Sequence, residues 1–191
     1  MRELDVRLFY WVNQWPDRFE PLFKLLSDGI KTPPIRIAFA VVFVLLLLAG
    51  KTTRRAAIMA IVAFPIANEF SESFKLAFRM LRPCVELESV LLRTDALTSF
   101  GTASSHAANM SAVAFVMCAT MRWWGLPWVL LALLTGLSRI YVGVHYPSQV
   151  LLGWVCGTFS GFLVVHMGKA IAQRVEARRV TPSDGPEPNQ A

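Results

Sequence analysis

The chain has 191 residues and a formal net charge of +6, from 19 Lys and Arg against 13 Asp and Glu. Apolar side chains make up 54% and charged ones only 17%, below the about 25% of ordinary soluble domains. Such a chain is too apolar to be disordered and, with 3 Cys, too poor in cysteine to be a disulfide-stapled domain. Its basic residues are scattered among apolar runs, which argues against a nucleic-acid partner.

Taken in order, residues 4–30 mix Phe9, Tyr10, Trp11, Trp15, Phe19 and Phe23 with Arg7, Asp17, Arg18, Glu20 and Lys24. That composition suits amphipathic helices lying in a membrane interface. It lacks the unbroken apolar core of a cleavable signal peptide. Thr32-Pro33-Pro34 ends the segment and opens the next helix, because Pro is tolerated in a first helical turn. Residues 37–50, 56–68, 96–121, 123–137 and 140–168 then contain no Asp, Glu, Lys or Arg. A helical span needs about 20 mostly apolar residues. Five spans are expected, at 34–50, 56–79, 105–122, 125–143 and 148–168, or six if the N-terminal segment crosses.

The expected fold is therefore all-α: an integral membrane helical bundle. Residues 1–33 form interfacial amphipathic helices, 34–168 the transmembrane domain, and 169–191 a basic extension ending in a disordered cytoplasmic tail. With five spans, Lys51-Thr52-Thr53-Arg54-Arg55, Arg122 and the basic extension share one side. The positive-inside rule makes that side cytoplasmic. Glu86, Glu88, Arg93 and Asp95 are expected in a solvated loop on the opposite side.

Three polar clusters interrupt the apolar pattern. Lys75, Arg79 and Arg82-Pro83 end the second span, Ser104-Ser105-His106 opens the third, and Ser138-Arg139 with His145 and Gln149 joins the fourth to the fifth. Alternating span directions bring all three to one membrane face. Cations near lipid are costly without an anion, and unpaired N–H groups at a helix start favour one. A phosphate monoester needs such cations and donors around its oxygens, plus a nucleophile and an acid. Two histidines can supply both roles near neutral pH. The sequence has no HExxH, no CxxC and no glycine-rich nucleotide loop, so neither a metal nor another cofactor is expected.

The three clusters, Lys75 to Arg82-Pro83, Ser104 to His106 and Ser138-Arg139 to His145, resemble the signature of the type 2 phosphatidic acid phosphatase family. These are integral membrane lipid phosphatases related in fold to bacterial acid phosphatases and vanadium haloperoxidases. The resemblance implies that His145 is the nucleophile, forming a phosphohistidine, and that His106 protonates the leaving group. It implies that Lys75, Arg82 and Arg139 clamp the phosphoryl oxygens with Ser104 and the backbone N–H of Ser105 and His106. Arg79 lies outside the pattern and is a candidate headgroup or second-phosphate contact. Two positions depart from the family. Ser105 replaces a Gly, and Gln149 replaces the Asp that would orient the nucleophilic imidazole. Gln149 can accept the ring N–H but brings no charge. Glu72 or Glu69 could substitute, although pairing with Lys75 or Arg79 is the favoured fate of both.

The implied activity is hydrolysis of a lipid phosphate or polyprenyl diphosphate at the extracytoplasmic face of a bacterial plasma membrane. Undecaprenyl diphosphate, phosphatidylglycerol phosphate, phosphatidic acid and lipid A phosphate are candidate substrates. A lipid phosphotransferase and, because of Gln149, a silent lipid-phosphate binder are the alternatives.

Overall fold

The computed structural model describes residues 2–29 and 32–180. Its described elements are all helical. They are α1 (Arg2–Asn13), α2 (Glu20–Asp28), α3 (Pro33–Ala49), α4 (Lys51–Phe78), α5 (Pro83–Glu86), α6 (Ser105–Met121), α7 (Leu126–Tyr141) and α8 (Pro147–Val180). The expected disordered stretch at 181–191 lies outside the described residues.

Helix α6 is the centre of the bundle and packs against α4, α7 and α8. Small residues make this possible. A Cβ at Gly157 of α8 would sit 1.9 Å from the Ala108 carbonyl oxygen, and one at Gly153 would sit 2.5 Å from that of Ser104. Gly161 repeats the contact one turn on, at 2.9 Å from Ala112 O. Helix α4 offers Ala56, Ala60, Ala63 and Ala67 to the same core. Close backbone approach at such small residues supplies packing attraction that large side chains would prevent. The large apolar side chains point outward instead, among them Ile37, Leu45, Leu48, Leu151 and Val155. Helix α3 contributes no buried residue and leans on α4.

Two helical stretches among the described residues, Ser105–Tyr141 and Pro147–Arg178, are long and apolar enough to cross a membrane. A third is reached if the bent pair Asp17–Asp28 and Pro33–Ala49 counts as one span. The first stretch is broken at Arg122, whose φ of 56° ends α6 and starts a 3-10 turn into α7. Gly125 lets that turn close, since a Cβ there would lie 2.4 Å from Cys118 N.

The N-terminal helices pack on the end of the bundle that carries the polar clusters. Phe9 and Phe23 are buried, and the Phe23 ring lies 4.7 Å from that of Tyr141. Fully buried Asn13 donates to Leu91 O and Tyr141 O, both at 2.9 Å, and accepts from Leu91 N. Arg93, expected in a solvated loop, is instead only 7% exposed in its side chain. It donates to Asn13 O at 2.7 Å and Tyr141 O at 3.1 Å, pairs with Asp17, and lies 4.2 Å over the Tyr141 ring. Its guanidinium thus ties the end of α1 to the end of α7 through their carbonyls. Glu86 is exposed, as expected, and pairs with Arg2 while accepting from Tyr146 Oη at 2.9 Å.

Candidate active site

One end of the bundle gathers the C-terminus of α4, the starts of α6 and α8, the end of α7 and the segment between α4 and α6. Here the polar residues fall into two hydrogen-bonded groups and one flank.

The first group is built on His145. Its Nδ1 lies 3.0 Å from Gln149 Oε1, one helical turn on. The same Oε1 accepts from Tyr146 N at 3.2 Å, while Gln149 Nε2 donates to Leu81 O at 2.8 Å. Those two backbone partners have opposite polarity, so they fix which end of the amide faces His145. The oxygen faces the ring, and Nδ1 must therefore carry the proton. In the neutral imidazole the lone pair then sits on Nε2. Arg82 Nη1 lies 2.8 Å from that nitrogen and donates to Val144 O at 3.1 Å. The rest of its guanidinium is held by Ser99 O at 2.7 Å, Ser99 Oγ and Phe100 O. His145 is 2% exposed and Arg82 3%. Burial, and then the positive charges of Arg82 and Arg139, push the His145 imidazole well below its ordinary value of 6.5. The Gln149 hydrogen bond opposes this in part, and Lys75 adds to it.

The second group is built on Ser105. Its hydroxyl lies 2.6 Å from Lys75 Nζ, donates to Glu72 Oε1 at 2.8 Å, and is 2.9 Å from Ser71 Oγ. Lys75 Nζ also meets Glu72 Oε1 at 2.6 Å. Glu72 therefore pairs with Lys75. Ser105 is the first residue of α6 and has no left-handed backbone, so the side chain that replaces Gly costs no strain there. Ser104 caps α6 by accepting from Ala107 N at 3.5 Å, and its own N–H donates to Gln149 O at 3.0 Å.

On the flank lies Arg139, 2% exposed. It donates to the hydroxyl of Ser27 and, at 3.4 Å, to Ser27 O, and it lies 3.9 Å from Asp28. Its Nε is buried without a hydrogen-bond partner among the described residues. Its carbonyl accepts from both Val144 N and His145 N at 3.2 Å, which orders the turn carrying His145. Ser27 and Asp28 were not predictable as site residues, since nothing in an amphipathic helix of that composition marks them. Gly101 was missed as well: a Cβ there would lie 2.8 Å from both Arg82 Cγ and Gln149 Oε1.

His106 occupies the wall of a largely apolar cavity of about 390 Å³, with Leu25, Ile35, Phe39, Phe64 and Leu131 among its neighbours. A second apolar cavity of about 300 Å³ shares Phe39, Phe64 and Met110 with it. Arg79 is exposed at the end of α4, 6.0 Å over the Phe100 ring. Among the described residues, no group of three or more His, Cys, Asp or Glu side chains converges where it could hold a metal ion.

Comparison with known proteins places the chain in a family. Residues 56–172 match the model of the PAP2 superfamily, and the chain belongs to that superfamily. A Sulfolobus acidocaldarius protein named undecaprenyl-diphosphatase is 33% identical over 123 residues, 64% of this chain and 60% of that one. A lipid A 4'-phosphatase of Bacteroides thetaiotaomicron is 33% identical over 88 residues, 45% of this chain and 39% of that one. The chain thus spans less than two thirds of the length of these relatives. The crystal structure of LpxE from Aquifex aeolicus superposes with a TM-score of 0.71 at 22% identity, covering 85% of this chain and 95% of that one. A PAP2-type phosphatidylglycerolphosphate phosphatase from Bacillus subtilis gives 0.65 at 19% identity, covering 89% and 87%. Both likenesses concern the fold.

Proposed function

We propose that the protein is a lipid-phosphate phosphatase that works through a phosphohistidine on His145. The observation that carries this reading is the fixed tautomer: the Gln149 amide leaves the lone pair of His145 on Nε2, facing Arg82. A phosphoryl group entering there exchanges the Arg82–His145 hydrogen bond for guanidinium–phosphate contacts. Lys75 and Arg139 add charge, and the unpartnered Nε of Arg139 is ready to donate. Ser105 and the first N–H groups of α6 complete the donor set.

Nε2 attacks phosphorus, the bond to the ester or bridging oxygen breaks, and His106 gives that oxygen a proton. The now neutral His106 then takes a proton from water as the water attacks phosphorus. The P–N bond breaks and its electron pair returns to Nε2. The cations of the site supply the charge stabilisation, so the scheme calls for no metal. The apolar cavity beside His106 suits the hydrocarbon chain of a lipid held with its phosphate at the cations. The relatives' names include a polyprenyl diphosphatase and a lipid A phosphatase, and both substrate classes fit this reading.

In the same reading the long helices α3, α4, α6, α7 and α8 are five membrane spans, α1 and α2 lie in the interface, and the basic 51–55 segment is cytoplasmic. The site then faces the extracytoplasmic side of a bacterial plasma membrane. The test is phosphate release by purified protein across undecaprenyl diphosphate, phosphatidylglycerol phosphate, phosphatidic acid and lipid A. Release that His145→Ala abolishes supports the proposal. Binding without release in wild type identifies a binder, and label passing to a second lipid identifies a phosphotransferase.

A further inference from the structure

The end of the bundle remote from His145 holds a second cationic cavity. It has a volume of about 340 Å³ and lies where the start of α4, the end of α6 and α8 meet. Lys51, Thr52 and Arg55 line it from α4, Thr120 from α6 and Lys169 from α8. Lys51 and Lys75 stand at opposite ends of α4, about 36 Å apart along its axis. This cavity is therefore a separate feature from the catalytic cluster, a membrane thickness away.

Three facts about it point the same way. Its lining holds three cations and no Asp or Glu. Among the described residues, Lys51, Arg55 and Lys169 make no ion pair. The first turn of α4 has no acidic residue, and no side chain caps its free N–H groups. Lys51 and Arg55 thus sit at the positive end of a helix dipole, where cations are disfavoured. All three cations are exposed at the rim of this cavity, where solvent screens their repulsion only in part. A bound anion would offset the mutual repulsion, the dipole and the uncapped amides together.

We infer that this cavity is a binding site for a phosphate group, on the membrane face opposite the catalytic cluster. The group could come from the headgroup of an anionic phospholipid in that leaflet or from free inorganic phosphate. Basic clusters beside a span attract anionic headgroups. A ligand joining α4, α6 and α8 at this end would brace the same three helices that carry Lys75, Ser105 and Gln149 at the other.

The test measures the melting midpoint of the full chain in nanodiscs, as wild type, as K51Q/R55Q/K169Q and as K169E alone. One arm adds phosphatidylglycerol to phosphatidylcholine discs; the other adds inorganic phosphate to pure phosphatidylcholine discs. The expected result is a rise in the Tm of wild type by about 5 °C at a hundredfold excess over Kd, with most of it lost in the variants. A variant-sensitive rise in the lipid arm identifies the headgroup, and one confined to the phosphate arm identifies the free ion. If the triple variant does not fold, K169E carries the comparison. Equal rises in wild type and variant, or no rise in either arm, would overturn the inference.

Discussion

Gln149 Oε1 accepts from His145 Nδ1 at 3.0 Å while its own amide nitrogen is held 2.8 Å from Leu81 O. An uncharged side chain therefore sets the tautomer that the family's Asp would set. It does so with an orientation fixed by the backbone. What it cannot supply is negative charge to stabilise the imidazolium-like phosphohistidine.

Gln149→Leu removes the acceptor and leaves His145 Nδ1–H, Tyr146 N–H and Leu81 O unpaired. In a serine-protease triad, the loss of the correct tautomer costs about 10⁴ in turnover. The expected result here is a fall in kcat of about 10²- to 10⁴-fold with a small change in KM, measured as steady-state phosphate release.

The pH profile follows from the burial of His145. Its imidazole titrates well below 6.5, so it remains neutral and nucleophilic through mildly acidic pH. The acid limb of kcat/KM, which reports the free enzyme, should therefore lie below pH 6.5. Gln149→Asp places a carboxylate beside the ring, favours its protonated form, and should move that limb to higher pH. The same burial touches stability. The unfolded chain takes up this proton as pH falls below about 6.5 and the folded chain does not, so the fold loses stability with acidity in that range.

Much of this was legible in the sequence. Charge-free windows located α6, α7 and α8, and alternating directions brought Lys75, Ser105 and His145 to one end. Other features were not legible, for physical reasons. Arg139 was expected to face a phosphoryl group and also meets Ser27 and Asp28, because α2 folds back onto the end of α7. That contact depends on tertiary packing, which no local pattern encodes. Arg93 read as a loop cation because the sequence gives no sign that Asn13 and Tyr141 present carbonyls to it. The pairing of Glu72 with Lys75, three residues on, needed only helical spacing and was expected.

Gly101 is predicted to be intolerant of a methyl group. Its Cβ would press on Arg82 Cγ and Gln149 Oε1 at once, both at 2.8 Å. Gly101→Ala should shift both partners of His145 and lower kcat/KM by about 10²-fold, as ångström-scale misplacement does. Circular dichroism and melting should show the fold retained, with activity carrying the loss.

Ser27 is predicted to position Arg139. Removing its hydroxyl leaves a buried guanidinium with one donor fewer satisfied, worth about 1–3 kcal/mol. Ser27→Ala should raise KM about tenfold with less effect on kcat, and Ser27→Thr should restore KM. An unchanged KM would mean that α2 plays no part in holding the clamp.

Trapping the intermediate tests the phosphohistidine on His145 directly. Purified protein is mixed with a ³²P-labelled lipid phosphate, quenched in alkali within one turnover, digested and sequenced by mass spectrometry. An acid-labile, alkali-stable phosphoryl group is expected on His145 Nε2, absent in His145→Ala and formed more slowly in His106→Ala, because His106 also protonates the leaving group. Full phosphate release by His145→Ala, or label found on another residue, would contradict it.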